Sequence, residues 1–180
     1  CSEVVRLFVE DPRTAMNVAI SDGSTALMTA VNMGQFYDCV DEMVEIEMEE
    51  IVRLLLNDPR VDPDMKNERY ENVLDIGLSA DNIRIFLIVI RHPRVDIDNY
   101  RFGTILHSAV SQGWCEVVDL ILKRKQDGFS INKPDVFGAT PLIRAVETGC
   151  LEMVRLFVED PRTDMNAVWD FSWDGGTALH

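Results

Sequence analysis

Apolar residues recur at helical spacing in one stretch of 22 residues, FGATPLIRAVETGCLEMVRLFV, which begins at Phe137. A first apolar run between Leu142 and Val146 recurs by threes and fours, which predicts a short helix. A second and more apolar run from Leu151 to Val158 predicts another helix. A unit of two short helices cannot bury its own apolar face, so it must stack on copies of itself.

The residues around these two runs mark where each helix begins and ends. Thr140 offers a hydroxyl to the open N–H groups of the first helix, and Pro141 sits in the first turn, where no amide partner is lost. Gly149 ends the first helix. Pro161, in the segment Asp-Pro-Arg, stops the second one because proline cannot continue a helix.

Copies of the unit are present along the chain. The segments EVVRLFVEDPRTAMN and EMVRLFVEDPRTDMN match at 13 of 15 positions and lie 149 residues apart. The prolines that follow the predicted second helices are spaced by 47, 34 and 68 residues, namely Pro12, Pro59, Pro93 and Pro161. Since 68 is twice 34 and 47 is 34 plus 13, the chain has a period of 34 residues with one insertion of 13.

The repeated pattern resembles the ankyrin repeat, whose motif is G-x-T-P-L-H-x-A-A-x-x-G followed by an apolar helix and a β-turn loop. The copies in this chain are GSTALMTAVNMG, the degraded ENVLDIGLSAD, GTILHSAVSQG, GATPLIRAVETG and GGTALH. The resemblance implies an all-α fold, an ankyrin-repeat solenoid of stacked antiparallel helix pairs with β-turn loops. It further implies about four to five repeats, partial ends included.

We expect one ankyrin-repeat array over residues 1–180. Its predicted parts are a partial repeat 1–20, a repeat 21–66 with the 13-residue insertion, a degenerate repeat 67–98, repeats 99–134 and 135–169, and a partial repeat 170–180. In the degenerate repeat, Tyr70 and Asp81 stand where the motif has glycine. Because the chain begins and ends inside repeats, we expect it to be a fragment.

The insertion lies between Gly34 and Glu50, and FYDCVDEMVEIEMEEIVRLLL around it contains neither glycine nor proline. Apolar residues fall on one stripe by threes and fours, which predicts a continuous helix from about Phe36 to Leu56. Seven acidic residues crowd this segment, with no lysine or arginine among them. The acidic insertion 35–47 is either a solvated helix face or a docking spur for a basic segment or a second chain.

Charge and cysteine usage narrow the possible partners. The 17 basic and 31 acidic residues give a net charge of −14, which disfavours nucleic acid and anionic membranes as partners. The four cysteines show no CxxC spacing, which favours reduced thiols in the cytoplasm or nucleus. The longest apolar run, residues 85–90, is too short to cross a membrane.

Catalytic chemistry is not predicted. The histidines His92, His107 and His180 have no nucleophile or metal partner at a meaningful spacing. His107 falls at the motif position that the ankyrin family uses for hydrogen bonds between loops and helices. No glycine-rich phosphate loop is present. We therefore expect no enzyme, no catalytic or metal-binding residue and no cofactor.

Ankyrin repeats usually grip partners with their β-turn tips and the exposed face of their first helices. Carried over by motif position, the predicted partner-binding residues are Arg69, Tyr100, Arg101, Gln112, Phe137, Glu147 and Trp173. Exposed aromatic and arginine side chains are favoured at interface hot spots. By contrast, Tyr70 and Phe102 are expected to pack against neighbouring tips.

The resemblance implies a protein-interaction module or scaffold. We expect a protein partner, with a basic segment as one candidate, no nucleic acid, no membrane and a monomeric chain. The alternative is a regulatory or spacer arm of a larger multidomain protein, such as an enzyme or a ubiquitin-ligase adaptor.

Overall fold

A computed structural model describes residues 2–33, 42–97, 104–124, 129–169 and 176–177 of the chain. The secondary-structure elements of this described part are α1 (Ser2–Glu10), α2 (Ala26–Met33), α3 (Glu42–Asn57), α4 (Val73–Ser79), α5 (Ile83–Arg91), α6 (Ile105–Ser111), α7 (Cys115–Lys123), α8 (Pro141–Thr148), α9 (Leu151–Glu159), β1 (Val168–Trp169) and β2 (Gly176–Thr177). The chain divides into two compact units, residues 1–99 and 100–180. The repeat boundaries given above stay predictions.

Each unit is built from pairs of helices that stack on one another. In unit 1, α2 packs on α3 and α4 packs on α5, while α2 also contacts α4 and α3 lies against both α1 and α5. In unit 2, α6 packs on α7 and α8 on α9, and the pairs meet through α6 with α8 and α7 with α9. First helices therefore stack on first helices, and second helices on second helices.

The helix pair of α8 and α9 has the boundaries that the sequence predicts. The hydroxyl of Thr140 accepts a hydrogen bond from the backbone N–H of Ile143 at 3.4 Å, and Pro141 occupies the first turn of α8. Gly149 follows α8 with a left-handed φ of +69°. Helix α9 ends one residue before Asp160 and two before Pro161.

The degenerate repeat keeps the backbone of the others without their glycines. Tyr70 in the tip has a φ of +61° and Asp81 after α4 has a φ of +52°, the left-handed region that glycines adopt at the same positions of other repeats. The expected packing of Tyr70 is wrong, because its side chain is 73% exposed. The left-handed conformation belongs to the turn itself, so tyrosine can occupy the glycine position without burying its ring. Phe102, the other residue expected to pack, lies outside the described residues.

Helix α5 is the apolar centre of unit 1. All six residues from Ile85 to Ile90 are buried, because a helix that is apolar nearly all round must pack between neighbours. Its partner α4 begins with a buried capping box. The side chain of Asn72 accepts hydrogen bonds from the backbone N–H groups of Leu74 and Asp75, and the Asp75 carboxylate accepts one from the Asn72 N–H at 2.9 Å.

The insertion is helical where it is described. Helix α3 runs over 16 residues from Glu42, and its buried stripe includes Ile51, Val52 and Leu55. The predicted start near Phe36 lies outside the described residues. Two of the acidic residues already have partners within the chain, because Glu49 pairs with Arg84 at 3.0 Å and Glu50 pairs with Arg6. The unpaired acidic charge of helix α3 is therefore smaller than its sequence indicates.

An arginine in the loop after α3 closes the end of α1. Arg60 donates hydrogen bonds to the carbonyl oxygens of Val9 at 2.6 Å and Asp11 at 2.9 Å. The carboxylate of Asp58 holds the guanidinium from the other side at 2.6 Å. The last carbonyl groups of a helix have no partner within it, so Arg60 satisfies α1 from the next repeat.

Two further arginines act in the same way. Arg94 donates to the carbonyl oxygen of Asp58, just after α3, at 2.8 Å. Arg162 donates to the carbonyl oxygen of Leu122 in α7. The sequence predicts the Pro-Arg turns only as helix stops, but the structure makes these turn arginines a connection between consecutive repeats.

The two near-identical segments of the chain have opposite environments. In α9, Met153 and Phe157 are fully buried. At the equivalent positions of α1, Val4 is 55% exposed and Phe8 is 57% exposed. The difference lies in the neighbours, because α9 is covered by α8 and α7, whereas α3 is the described helix that covers α1.

A short β pair follows α9 and was not predicted. Strands β1 and β2 are antiparallel, with Val168 opposite Thr177 and Trp169 opposite Gly176. The residues between the two strands, 170–175, lie outside the described residues.

His107 connects a helix to a neighbouring tip in unit 2. Its Nε2 donates to the backbone carbonyl of Ala139 at 2.9 Å, so its Nδ1 accepts from the Thr104 hydroxyl at 2.8 Å. The motif position therefore serves a structural purpose here, as the resemblance implies. Burial lowers the pKa of His107 below the ordinary 6.5, and the bond to Ala139 opposes this only in part.

This shift gives a pH dependence of stability. The unfolded chain binds the His107 proton more readily than the folded protein, so the free energy of unfolding decreases as the pH falls below 6.5. We expect wild type to lose more stability than His107→Gln between about pH 7 and about pH 5. Urea unfolding at a series of pH values measures this difference. Parallel pH profiles for the two proteins would contradict it.

Candidate functional site

The β-turn tips share one pattern of backbone hydrogen bonds. The backbone N–H of the first residue donates to the carbonyl oxygen of the residue four positions later. The N–H of the fourth residue of the turn donates back to the carbonyl oxygen of the first. The residues paired across the three described turns are Ile20 with Ser24, Asn67 with Glu71 and Asp135 with Ala139, at 2.9–3.0 Å. In this register Asp22, Arg69 and Phe137 occupy the same position of the tip.

Side chains hold each tip in place. The Asn67 Oδ1 accepts from the backbone N–H groups of Arg69 and Glu71, both at 2.9 Å, and its amide donates to the Glu71 carboxylate at 2.9 Å. In the preceding tip Asp22 serves instead, accepting from the backbone N–H of Ser24 at 2.8 Å. Hydrogen bonding from Ser24 lowers the pKa of Asp22, so this carboxylate is charged at neutral pH.

The first two tips are also joined to each other. The backbone N–H of Glu68 donates to the carbonyl oxygen of Asp22 at 3.0 Å. Gly23 makes this approach possible, because a Cβ at that position would lie 2.7 Å from the Glu68 nitrogen. The two tips of unit 1 therefore form one continuous edge.

A groove of about 450 Å³ runs between this edge and the first helices α2 and α4. The tips contribute Ile20, Asp22, Ser24, Asn67, Arg69 and Glu71, and the helices contribute Met28, Thr29, Asn32, Ile76 and Ser79. Most of these side chains are polar, and charged groups of both signs stand at the tip side. A wall of this composition suits a polar or charged surface better than an apolar small molecule.

The predicted partner-binding residues take several places. Arg69 lines the groove of unit 1 and is exposed. In unit 2, Gln112 is exposed directly after α6, and Glu147 is exposed on α8. Phe137 is 54% exposed at its tip. The remaining three predicted residues, Tyr100, Arg101 and Trp173, lie outside the described residues.

Phe137 and Glu147 are brought together by Arg144, a residue that the sequence analysis missed. Its guanidinium donates to the Asp135 carboxylate at 2.7 Å and to the Glu147 carboxylate at 2.9 Å. The guanidinium carbon lies 5.5 Å from the centre of the Phe137 ring, within the range of a cation–π contact. In the sequence, the position of Arg144 three residues before Glu147 was the signal that could have predicted this ion pair.

The same contacts fix the charge of Asp135. Burial alone would raise the pKa of this carboxyl, but the Arg144 guanidinium and the N–H groups of Phe137 and Ala139 outweigh burial and lower it. The unit 2 tip therefore presents a half-exposed ring beside an ion network of one guanidinium and two carboxylates.

Metal-ligand clusters and membrane-spanning helices are both absent from the part of the chain that the structure describes. Among the described residues, no three His, Cys, Asp or Glu side chains cluster as metal ligands would. The described helices include none with the length and apolar character needed to span a membrane.

Comparisons with known proteins agree with the geometry. A family model described as "Ankyrin repeats (3 copies)" matches residues 76–168, and the single "Ankyrin repeat" model matches residues 22–68. No curated protein matches the sequence significantly.

Two solved structures have a similar fold. The ankyrin repeat domain of Bcl-3, a member of the IkappaB protein family, is 25% identical with a TM-score of 0.68, covering 99% of this chain and 72% of that one. The structure of the Bd0816 predatory endopeptidase from Bdellovibrio bacteriovorus in complex with immunity protein Bd3460 contains a chain that is 19% identical, with a TM-score of 0.67. That match covers 99% of this chain and 87% of the other, and it shows likeness of fold alone.

The predicted fold class, all-α with ankyrin-repeat helix pairs, is confirmed by these similarities. The model of three ankyrin repeats alone matches more than half of the chain. The chain belongs to the ankyrin-repeat family.

Proposed function

We propose that this chain binds a partner protein through its β-turn tips and first helices, as an interaction module without catalytic activity. In unit 1 the contact is made in the groove between the tip edge and helices α2 and α4. The groove carries the proposal because its tips are held by hydrogen bonds that the Asp22 and Asn67 side chains accept from backbone N–H groups. Tips that are already ordered lose little conformational freedom on binding.

The family supports a protein as the partner, because ankyrin repeats are generally protein-interaction modules. The proposed contact residues are Arg69, Gln112, Phe137 and Glu147, together with Tyr100, Arg101 and Trp173. A partner with a basic segment suits the charged carboxylate of Asp22 and the net charge of −14. Such a contact weakens as salt concentration rises.

A bulky charge placed in the groove tests the proposal. Ser79 is exposed on α4 and lines the groove, so Ser79→Arg should block it without disturbing the core. Asn57→Arg adds the same side chain at an exposed position at the end of α3, outside the groove, and is the matched control. Proteins captured from cell extract by wild type are identified, and the affinity of each purified candidate is then measured for all three chains.

We expect Ser79→Arg to weaken binding of the specific partner by at least about tenfold, which corresponds to about 1.4 kcal/mol. Asn57→Arg should bind as wild type does. Equal affinity of wild type and a folded Ser79→Arg would remove the groove from the proposal. The alternative, a regulatory or spacer arm, predicts equal affinity of the two chains, because no partner would then bind in the groove.

A further inference from the structure

Two cysteines of unit 2 face each other across consecutive helix pairs. The sulfur atoms of Cys115 and Cys150 are 3.9 Å apart. Cys115 is the first residue of α7, and Cys150 is the residue directly before α9. Both side chains are half-exposed, so small reagents in solution can reach them.

We propose that Cys115 and Cys150 form a reversible redox pair, which a low-molecular-weight disulfide such as oxidised glutathione converts into an intramolecular disulfide. A disulfide places its sulfurs about 2.05 Å apart, so the thiols must approach by about 2 Å. Both residues sit at helix ends, and the preceding Gly149 has open space around it. A side-chain rotation with a small backbone adjustment can therefore close the gap.

The reaction balances as two thiol–disulfide exchanges. A cysteine thiolate attacks one sulfur of oxidised glutathione, which breaks that S–S bond, forms a mixed disulfide and releases one glutathione thiolate. The second cysteine, as its thiolate, attacks the protein sulfur of the mixed disulfide and releases the other glutathione. The two protein thiols are oxidised, the glutathione disulfide is reduced to two thiols, and the two cysteine protons pass to the departing thiolates.

Either cysteine can carry out the first exchange, because both thiols are half-exposed, and the other then closes the protein disulfide. Burial, with the Cys150 thiol as a further cause, raises the pKa of Cys115. Closure joins two helices that already contact each other, so α7 and α9 become covalently linked.

Mass spectrometry of the whole chain tests the pair directly. The four cysteines fall on four different tryptic peptides, residues 1–6, 14–53, 102–123 and 145–155. After incubation with oxidised glutathione and digestion without reductant, we expect peptides 102–123 and 145–155 to be linked, with the loss of two hydrogens. Reductant should separate them, and oxidation should slow the amide hydrogen exchange of α7 and α9.

Three controls decide the outcome. Cys150→Ser should abolish the link, Cys39→Ser should leave it unchanged, and oxidation in urea should remove the preference for this pairing. Glutathione that stays attached to Cys115 or Cys150 without a link would overturn the proposal. Links that mainly involve Cys1 or Cys39 in the folded protein would overturn it as well.

Discussion

Phe157→Ala should lower the free energy of unfolding by about 3–5 kcal/mol, the usual loss for a fully buried phenylalanine. Phe157 has no exposed surface and lies in α9 between α8 and α7. The identical change at Phe8, which is 57% exposed in the near-identical segment of α1, should cost less than about 1 kcal/mol. Urea unfolding of the two variants and wild type gives both values.

This pair of variants is a matched comparison, because VRLFVEDPRT surrounds the phenylalanine in both segments. Local helix propensity and turn residues are therefore the same, and the neighbouring helices differ. Equal losses of unfolding free energy for the two variants would mean either that α7 and α8 do not cover Phe157, or that α1 is covered in solution. Hydrogen exchange of α1 and α9 separates these two explanations.

Gly23→Ala should destabilise unit 1 by roughly 2–4 kcal/mol, because it combines two penalties. The backbone has a φ of +80°, where an alanine is strained, and the added Cβ would lie 2.7 Å from the backbone nitrogen of Glu68. The backbone must move, and the hydrogen bond from Glu68 to Asp22 is the contact that opens. Thermal unfolding measures the loss.

Gly149→Ala is the control for backbone strain alone. Gly149 has a φ of +69°, but a Cβ there meets nothing within 4 Å. Its substitution should cost about 1–2 kcal/mol, the strain of the left-handed region. If Gly23→Ala lowers the free energy of unfolding no more than Gly149→Ala does, the two tips do not approach each other closely at Gly23. Partner binding by unit 1 should weaken in Gly23→Ala in particular, because the tip edge forms one wall of the groove.

Features that depend on local sequence could be predicted. Thr140, Pro141 and Gly149 act on their own helix, so their residue types and spacing were sufficient to place α8. The repeat register was also sufficient to identify Tyr70 and Asp81 as replacements for glycine, and both have positive φ.

Contacts between distant residues could not be predicted in the same way. Arg60 bonds to carbonyl groups 49 and 51 residues earlier in the chain, and no periodicity indicates where a long flexible side chain ends. The Tyr70 ring was misassigned because the motif specifies a backbone conformation and not the exposure of the side chain. In the candidate site, the motif was sufficient to place Arg69 and Phe137 at the tips. The ion network of Arg144 could not be predicted, because it depends on how closely the tip lies to helix α8.

The turn arginines have a consequence for how the chain opens. Arg60 belongs to one repeat, but the carbonyl groups it satisfies belong to the one before. When the later repeat opens, the earlier helix loses both an apolar neighbour and the donor for its terminal carbonyls. Nearest-neighbour coupling in repeat proteins is a sum over such interfaces, and the arginine bonds add a polar contribution to it. Opening of α3 therefore also exposes the terminal carbonyls of α1, so that adjacent repeats tend to open together.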